Sequence, residues 1–599
     1  METKARKPYD GASRKLLLAF DIGTTFSGIS YSILDPGKIP QILPVTRYPS
    51  QGTAGSDSKI PTVIYYCKNG KLAAIGAETL KEGIEVEVEE EGWQIARWFK
   101  LHLRPKSAIV AGEEPVPPLP CGKTVVEVFT DFVFYMHNCA EKFITETHGA
   151  VVWASLSKDI SYVLTHPNGW AGPQQTAMRE AAIKAGLVPN TPEGRARVVF
   201  LTRLLSNGMS LAAAKEEEDE PPRKKTKLNK AAAAKGATQA KEGDGVLIVD
   251  AGGGTVDVTS YCRQPDGSYV EIAIPACYFQ GSAYVTMRAK AWFTNFFKGS
   301  RFKDDVDALT HTFDAKTKPR FQKVDEKYHI PFASVRERDP ALNVTAGRLR
   351  MEGSDIASFF KPSIDCIVNA VKEQSAAAHV PIRSVFMVGG FSASEWLFQQ
   401  VKAQVEPLGI AVSIPDQHVN KAVASGAVSF FLDSMVSSRV SRAMYGLSIY
   451  QVYDSTNTDH VKRGHKVEVH SVTGKPCLFG FFRVILPKGV QVTTTAEFVK
   501  HFHRQEFNRA DLDKYSSEIL MYSGESQGSP WINDEPDMYP VVCTVEADLS
   551  KITATEEKNP KGETFYRIEY SIVLLFGLTE LKAQVAGPAS IIFADGGFA

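Results

Sequence analysis

KLLLAFDIGTTFSGISYSIL, Lys15 to Leu34, and GVLIVDAGGGTVDVTSYC, Gly245 to Cys262, are the same device written twice. In each, a short apolar run rich in branched residues stops at an aspartate, a Gly/Thr turn follows, and an alternating strand leaves. Each predicts a β-hairpin. Asp21 and Asp250 are separated by far more than the about 20–50 residues of a solenoid period, so the echo predicts two related lobes, each opened by a hairpin. A ligand between such lobes would see both turns.

The surrounding sequence is that of an α/β protein. Ser161 to Pro167 reads as a strand closed by proline, and GPQQTAMREAAIKAGLV as a helix with Gly186 past its end. Val385 to Gly390 is again strand and glycine turn, with Ser392 and Glu395 spaced as a capping box for the next helix. The acidic run Glu85 to Gly92 reads as a solvated strand or loop. Residues 1–14 form an N-terminal tail, 15–440 the two-lobed domain, and 441–599 a mainly β domain of short alternating runs such as VVCTVEADLS and TFYRIEYSIVLLFGL. Inside the first domain, 212–244 is charged, alanine-rich and too poor in large apolar groups to repay ordering, which predicts a disordered insertion.

The chain has 599 residues, with 68 Lys plus Arg against 68 Asp plus Glu, so no global charge calls for nucleic acid or an anionic membrane. Eight scattered cysteines show no metal-ligand spacing, and the apolar run before Asp21 is too short for a signal peptide. No stretch approaches the about 20 apolar residues of a membrane helix. The expected compartment is the cytoplasm. PPRKKTKLNK, Pro221 to Lys230, reads either as a nuclear-import tag or as a solvating linker.

Glycines let backbone N–H groups approach a phosphate, threonine hydroxyls add donors, and a carboxylate can hold the hydrated Mg²⁺ that accompanies a triphosphate. Two such turns, Asp21-Ile22-Gly23-Thr24-Thr25 and Asp250 to Asp257, therefore point to a nucleotide. They resemble the two phosphate-binding hairpins of the actin, sugar-kinase and heat-shock ATPase superfamily, and Gly389-Gly390-Phe391-Ser392 resembles its adenosine motif. Order and spacing are similar to a divergent heat shock 70 kDa-like protein of the twelve-A-type branch. The resemblance implies a two-lobed actin-like ATPase fold with a mainly β C-terminal domain, holding ATP and Mg²⁺. It places Asp21, Asp250 and Asp257 at the metal; Gly23, Thr24, Thr25, Gly252, Gly253, Gly254 and Thr255 at the phosphates; and Gly389, Gly390 and Ser392 at the adenosine. Asp250, Thr255 and Lys100 would be catalytic, Lys100 having a plain surface lysine as its alternative reading.

Departures from the family are as informative. Where it has a glutamate after a VVF-like strand, Val198 to Asn207 carries no acid; Asn420 replaces an aspartate; Gly281 to Tyr284 lacks the usual acid and glycine. Lys318 is read as a solvated helix charge rather than an adenine clamp. Gly122-Lys123-Thr124 imitates a P-loop ending without the preceding strand, and His501-Phe502-His503 reads as a surface strand. The expected function is an ATP-binding, slowly hydrolysing, chaperone-like protein with a client polypeptide or co-chaperone as partner. A nucleotide-sensing scaffold without hydrolysis, and a small-molecule kinase, are the alternatives.

Overall fold

The computed structural model describes residues 6–50, 59–105, 109, 115–170, 172–203, 243–265, 268–415, 422–433, 436–493, 496–522, 524, 529–576, 581–587 and 591–592. The stretch Leu204 to Asn207, Pro221 to Lys230, Asn420, and the 212–244 insertion except its last two residues lie outside them. The chain divides into two compact units, Met1–Gly169 with Met178–Val436, and Trp170–Ala177 with Ser437–Ala599.

The first unit contains one strand pattern twice. Strand β1 (Lys15–Ile22) turns back antiparallel on β2 (Phe26–Leu34) and lies parallel to β3 (Ile160–His166), itself parallel to β4 (Val198–Thr202). In the second copy β5 (Gly245–Ala251) turns back on β6 (Val256–Arg263) and lies parallel to β7 (Ile382–Val388), followed by β8 (Ala411–Ser413). The central strands are apolar on both faces, with Leu16, Leu17, Leu18, Leu247 and Val249 buried, as strands covered from both sides must be. Asp21 and Asp250 each end a central strand at its carboxyl end beside a parallel neighbour, where open α/β sheets place their ligands.

Helices cover the sheets. Helix α1 (Ile84–Glu91) is the acidic run, so the expected strand or loop is corrected: Gly83 and Gly92, both at positive φ, bracket one short helix whose Glu85 and Glu87 sit favourably at its positive end. Helix α2 (Val125–His148) starts at Thr124, whose side chain and that of Glu127 form a capping box. That is the role of the false P-loop ending. Helix α3 (Gly172–Lys184) is followed by Gly186 at φ 74°. Helices α4 (Ser282–Phe296) and α5 (Gly353–Ala377) pack Val285, Phe293, Phe359 and Ile367 into one core with Leu247 and Val249. Helix α6 (Glu395–Val405) is capped by Ser394, not Ser392: the Ser394 side chain accepts from Leu397 N–H, whereas Ser392 Oγ donates to the Val388 carbonyl at 2.6 Å.

The second unit is mainly β. One sheet runs Glu468–Val469, Pro476–Leu486, Met444–Val452, Lys514–Tyr522 and Val541–Asp548; the other is built on Thr564–Phe576, flanked by Glu497–Glu506 and Leu581–Ala586. Leu447, Ile519, Val545, Ile572 and Val585 share its core. His501 and His503 lie on Glu497–Glu506, with the His501 ring at 2.8 Å from Ser571 Oγ. Among the described residues no helix is long and apolar enough to cross a membrane. The fold is α/β, two-lobed and actin-like, with a mainly β C-terminal part.

Candidate functional site

The first turn is held by charge brought from outside it. Asp21 is fully buried, and its Oδ1 accepts from Arg203 Nε at 3.0 Å, Arg203 Nη2 at 2.7 Å and Thr165 Oγ1 at 2.9 Å. Lys59 Nζ donates to Oδ2 at 3.1 Å. Burial would raise the Asp21 carboxyl, but Arg203, Lys59 and Lys100 outweigh it and hold it well below the usual carboxylate range.

The second turn is built from backbone. Gly252 N–H donates to the Thr255 carbonyl at 2.9 Å, and Gly281, Ser282 and Ala283 N–H donate to the carbonyls of Gly254, Gly252 and Gly253 at 3.2, 3.1 and 2.8 Å. In a planar trans peptide the N–H points opposite to the C=O. With those carbonyls tied to the start of α4, the N–H groups of Gly253, Gly254 and Thr255 point away from it as consecutive donors, the arrangement of an anion nest. This is also the role of Gly281: an added Cβ there would lie 2.6 Å from the Gly253 carbonyl.

The two turns meet. A Cβ on Gly253 would collide with Thr25 Oγ1, and one on Gly254 with Thr24 Oγ1. Asp257 accepts from Thr255 Oγ1 and from Asn168 N–H, each at 2.8 Å, so the chain after β3 and Pro167 reaches the second turn. Burial pushes Asp250 up to about 6 against the pull of Arg203, and burial also raises Asp257. Gly389, at φ 87°, packs against Asp250: any side chain there would collide with Asp250 Oδ1. The adenosine-motif glycine thus abuts the second turn, while Gly390 has nothing within 4 Å of its Cβ position. Ser392 is buried on backbone.

Arg203 is the residue that sequence reasoning missed. It follows β4 directly, where the resembled family has its glutamate, and instead of leaving a polar group missing it fills the place with a buried cation. Its guanidinium lies between the turns, 2.9 Å from the Cβ position of Gly23 through Nη2 and 3.3 Å from that of Gly252 through Nη1. Burial works against its charge, but Asp21 and Asp250 hold its pKa above the ordinary value. Lys100 is not a surface lysine: it is 2 % exposed and its Nζ donates to the Ile22 carbonyl at 2.5 Å. Burial first and Arg203 second bring it down to about 7. Lys318 is not solvated either, but pairs with Asp314 and donates to Ser282 O and Thr286 Oγ1 beside the start of α4.

Mg²⁺ demands near-octahedral oxygen ligands at about 2.0–2.1 Å. Asp21 already carries a cation on each oxygen, Arg203 on Oδ1 and Lys59 on Oδ2. Among the described residues no group of three or more His, Cys, Asp or Glu is placed to hold a metal by itself. The carboxylates of Asp21, Asp250 and Asp257 all favour the charge on Arg203, and Asp21 is hydrogen-bonded to it.

No family model matches the chain. It is similar to heat shock 70 kDa protein 12A of Mus musculus, 25% identical over 499 residues, which is 73% of this chain and 72% of that protein. The Homo sapiens protein of the same name is 25% identical over 505 residues, and Homo sapiens heat shock 70 kDa protein 12B 24% over 502, each with the same 73% and 72% shares.

Proposed function

We propose, for a chain that is a divergent relative of the heat shock 70 kDa proteins, that residues 15–440 bind the polyphosphate of ATP or ADP between the two turns and serve a chaperone-like role with the β-rich C-terminal part. The observation that carries this is the row of N–H groups at Gly253, Gly254 and Thr255, facing away from α4 in a turn against which Thr24 and Thr25 pack. Gly389 and Gly390, beside Asp250, would take the adenosine. Mg²⁺, which the family resemblance implies, would meet an Asp21 whose two oxygens already carry Arg203 and Lys59.

Hydrolysis needs a water that is oriented and deprotonated as the phosphoryl group moves. A cation stands at the end of β4, so Asp250, Thr255 and Lys100 are the groups left for that work, and turnover is slow. Arg203 also favours a second reading, a nucleotide sensor that does not hydrolyse at all. Isothermal titration of the full chain with adenosine, AMP, ADP and ATP tests the first claim. Affinity should rise by about tenfold, ~1.4 kcal/mol, between AMP and ADP; ATP binding no tighter than adenosine would defeat it. Single-turnover phosphate release that Asp250→Asn abolishes decides for the ATPase over the sensor.

A further inference from the structure

We propose that Arg203 is a built-in replacement for the divalent cation, so that this site grips a nucleotide polyphosphate without Mg²⁺. The inference rests on the nucleotide reading above and adds which cation the site uses.

Three features of the geometry carry it. First, the guanidinium is fixed: Nε and Nη2 are committed to Asp21 Oδ1, and the residue is buried. Second, Nη1 takes no part in the bonds to Asp21 Oδ1 and lies 3.3 Å from the Cβ position of Gly252, the first glycine of the turn whose N–H groups form the nest. One face of the planar fork therefore neutralises a carboxylate while another faces where phosphate oxygens would sit, the bridging task a divalent ion performs between protein acid and phosphate. Third, Lys59 and Lys100 stand beside it, the first on Asp21 Oδ2 and the second on the Ile22 carbonyl. Three basic side chains surround the first turn, and a metal approaching Asp21 would meet Arg203 already on Oδ1 and Lys59 already on Oδ2, two cations that repel it. A guanidinium stays charged at every working pH and is not removed by a chelator.

The test titrates ATP into the full chain in EDTA and again in excess Mg²⁺, and separately follows Mn²⁺ alone by its paramagnetic resonance signal. Expected are affinities within about threefold of each other in the two buffers and no Mn²⁺ held by the chain. Arg203→Gln, checked for folding by circular dichroism, should bind ATP at least about tenfold more weakly in EDTA and recover in Mg²⁺. Wild-type binding lost in EDTA, or a Mn²⁺ site in the nucleotide-free wild type, overturns the proposal and leaves nucleotide binding standing. Absence of ATP binding in both buffers sinks the nucleotide reading and the inference with it. Should Arg203→Gln fail to fold, the two wild-type measurements still decide.

Discussion

The two glycine turns share a backbone and differ in electrostatics. Both end an apolar strand on an aspartate, and both reverse into an antiparallel partner, Asp21 opposite Gly28 and Asp250 opposite Asp257. Yet Asp21 is held by Arg203 and Lys59 far below the ordinary carboxylate range, whereas Asp257 is held by a threonine hydroxyl and a backbone N–H, and burial raises both acids of the second turn. The same local device has become a cation-loaded bend in one lobe and an amide-lined bend in the other. What a glycine turn of this kind can hold is thus set as much by the strand ends packed on it as by its own glycines.

The contrast breaks most sharply at Arg203. Arg203→Leu leaves Asp21 buried with its principal counter-charge gone, which should cost about 3–5 kcal/mol of stability by urea denaturation. Asp21→Asn together with Arg203→Leu should recover most of that loss; an equal loss in the double variant would show that the pair is not the unit that matters. The second turn has its own weak point. Gly389→Ala forces a side chain to φ 87° against Asp250 and the Ala251 carbonyl, for about 2–3 kcal/mol. Gly390→Ala, one residue on and with open space around it, should lie within about 0.5 kcal/mol of wild type. Equal effects at the two glycines would mean that Asp250 is not held where the structure has it.

The hairpins were legible because apolar run, aspartate and glycine turn are neighbours in the chain, and Gly253 and Gly254 are glycines for the close approach of Thr25 and Thr24. The mainly β character of the C-terminal part was legible from alternation, which is also local. Arg203 was not, because its meaning comes from register: β4 lies on β3 and β3 on β1, and only that parallel stacking brings the end of β4 to Asp21. One signal was present, an arginine placed directly after the apolar strand VVFLT, where a long cation needs a buried acid to justify it. Lys100 was named from the sequence, but its burial was not legible: Trp98 adopts φ 56°, rare for a non-glycine, and starts the tight turn that carries Lys100 inward. The Ser392 error has a smaller cause, since a serine two residues later competes for the same cap.

The gentlest way to separate the turns is pH, because their acids shift in opposite directions. The folded state holds the Asp21 proton less tightly than the unfolded chain, so its contribution is present above the unfolded value of about 4 and is lost as pH falls below it. Asp250 works the other way. Its folded pKa is up at about 6, so between about pH 4 and that value the folded state keeps a proton the unfolded chain has released, and stability falls as pH rises. One proton limits that slope to about 1.4 kcal/mol per pH unit. In urea titrations across this window, Asp250→Asn should flatten the decline while leaving the acid limb below about pH 4 intact. If the mutant and wild-type curves run parallel from about pH 4 to 6, Asp250 ionises as an ordinary carboxylate, and its burial is compensated after all.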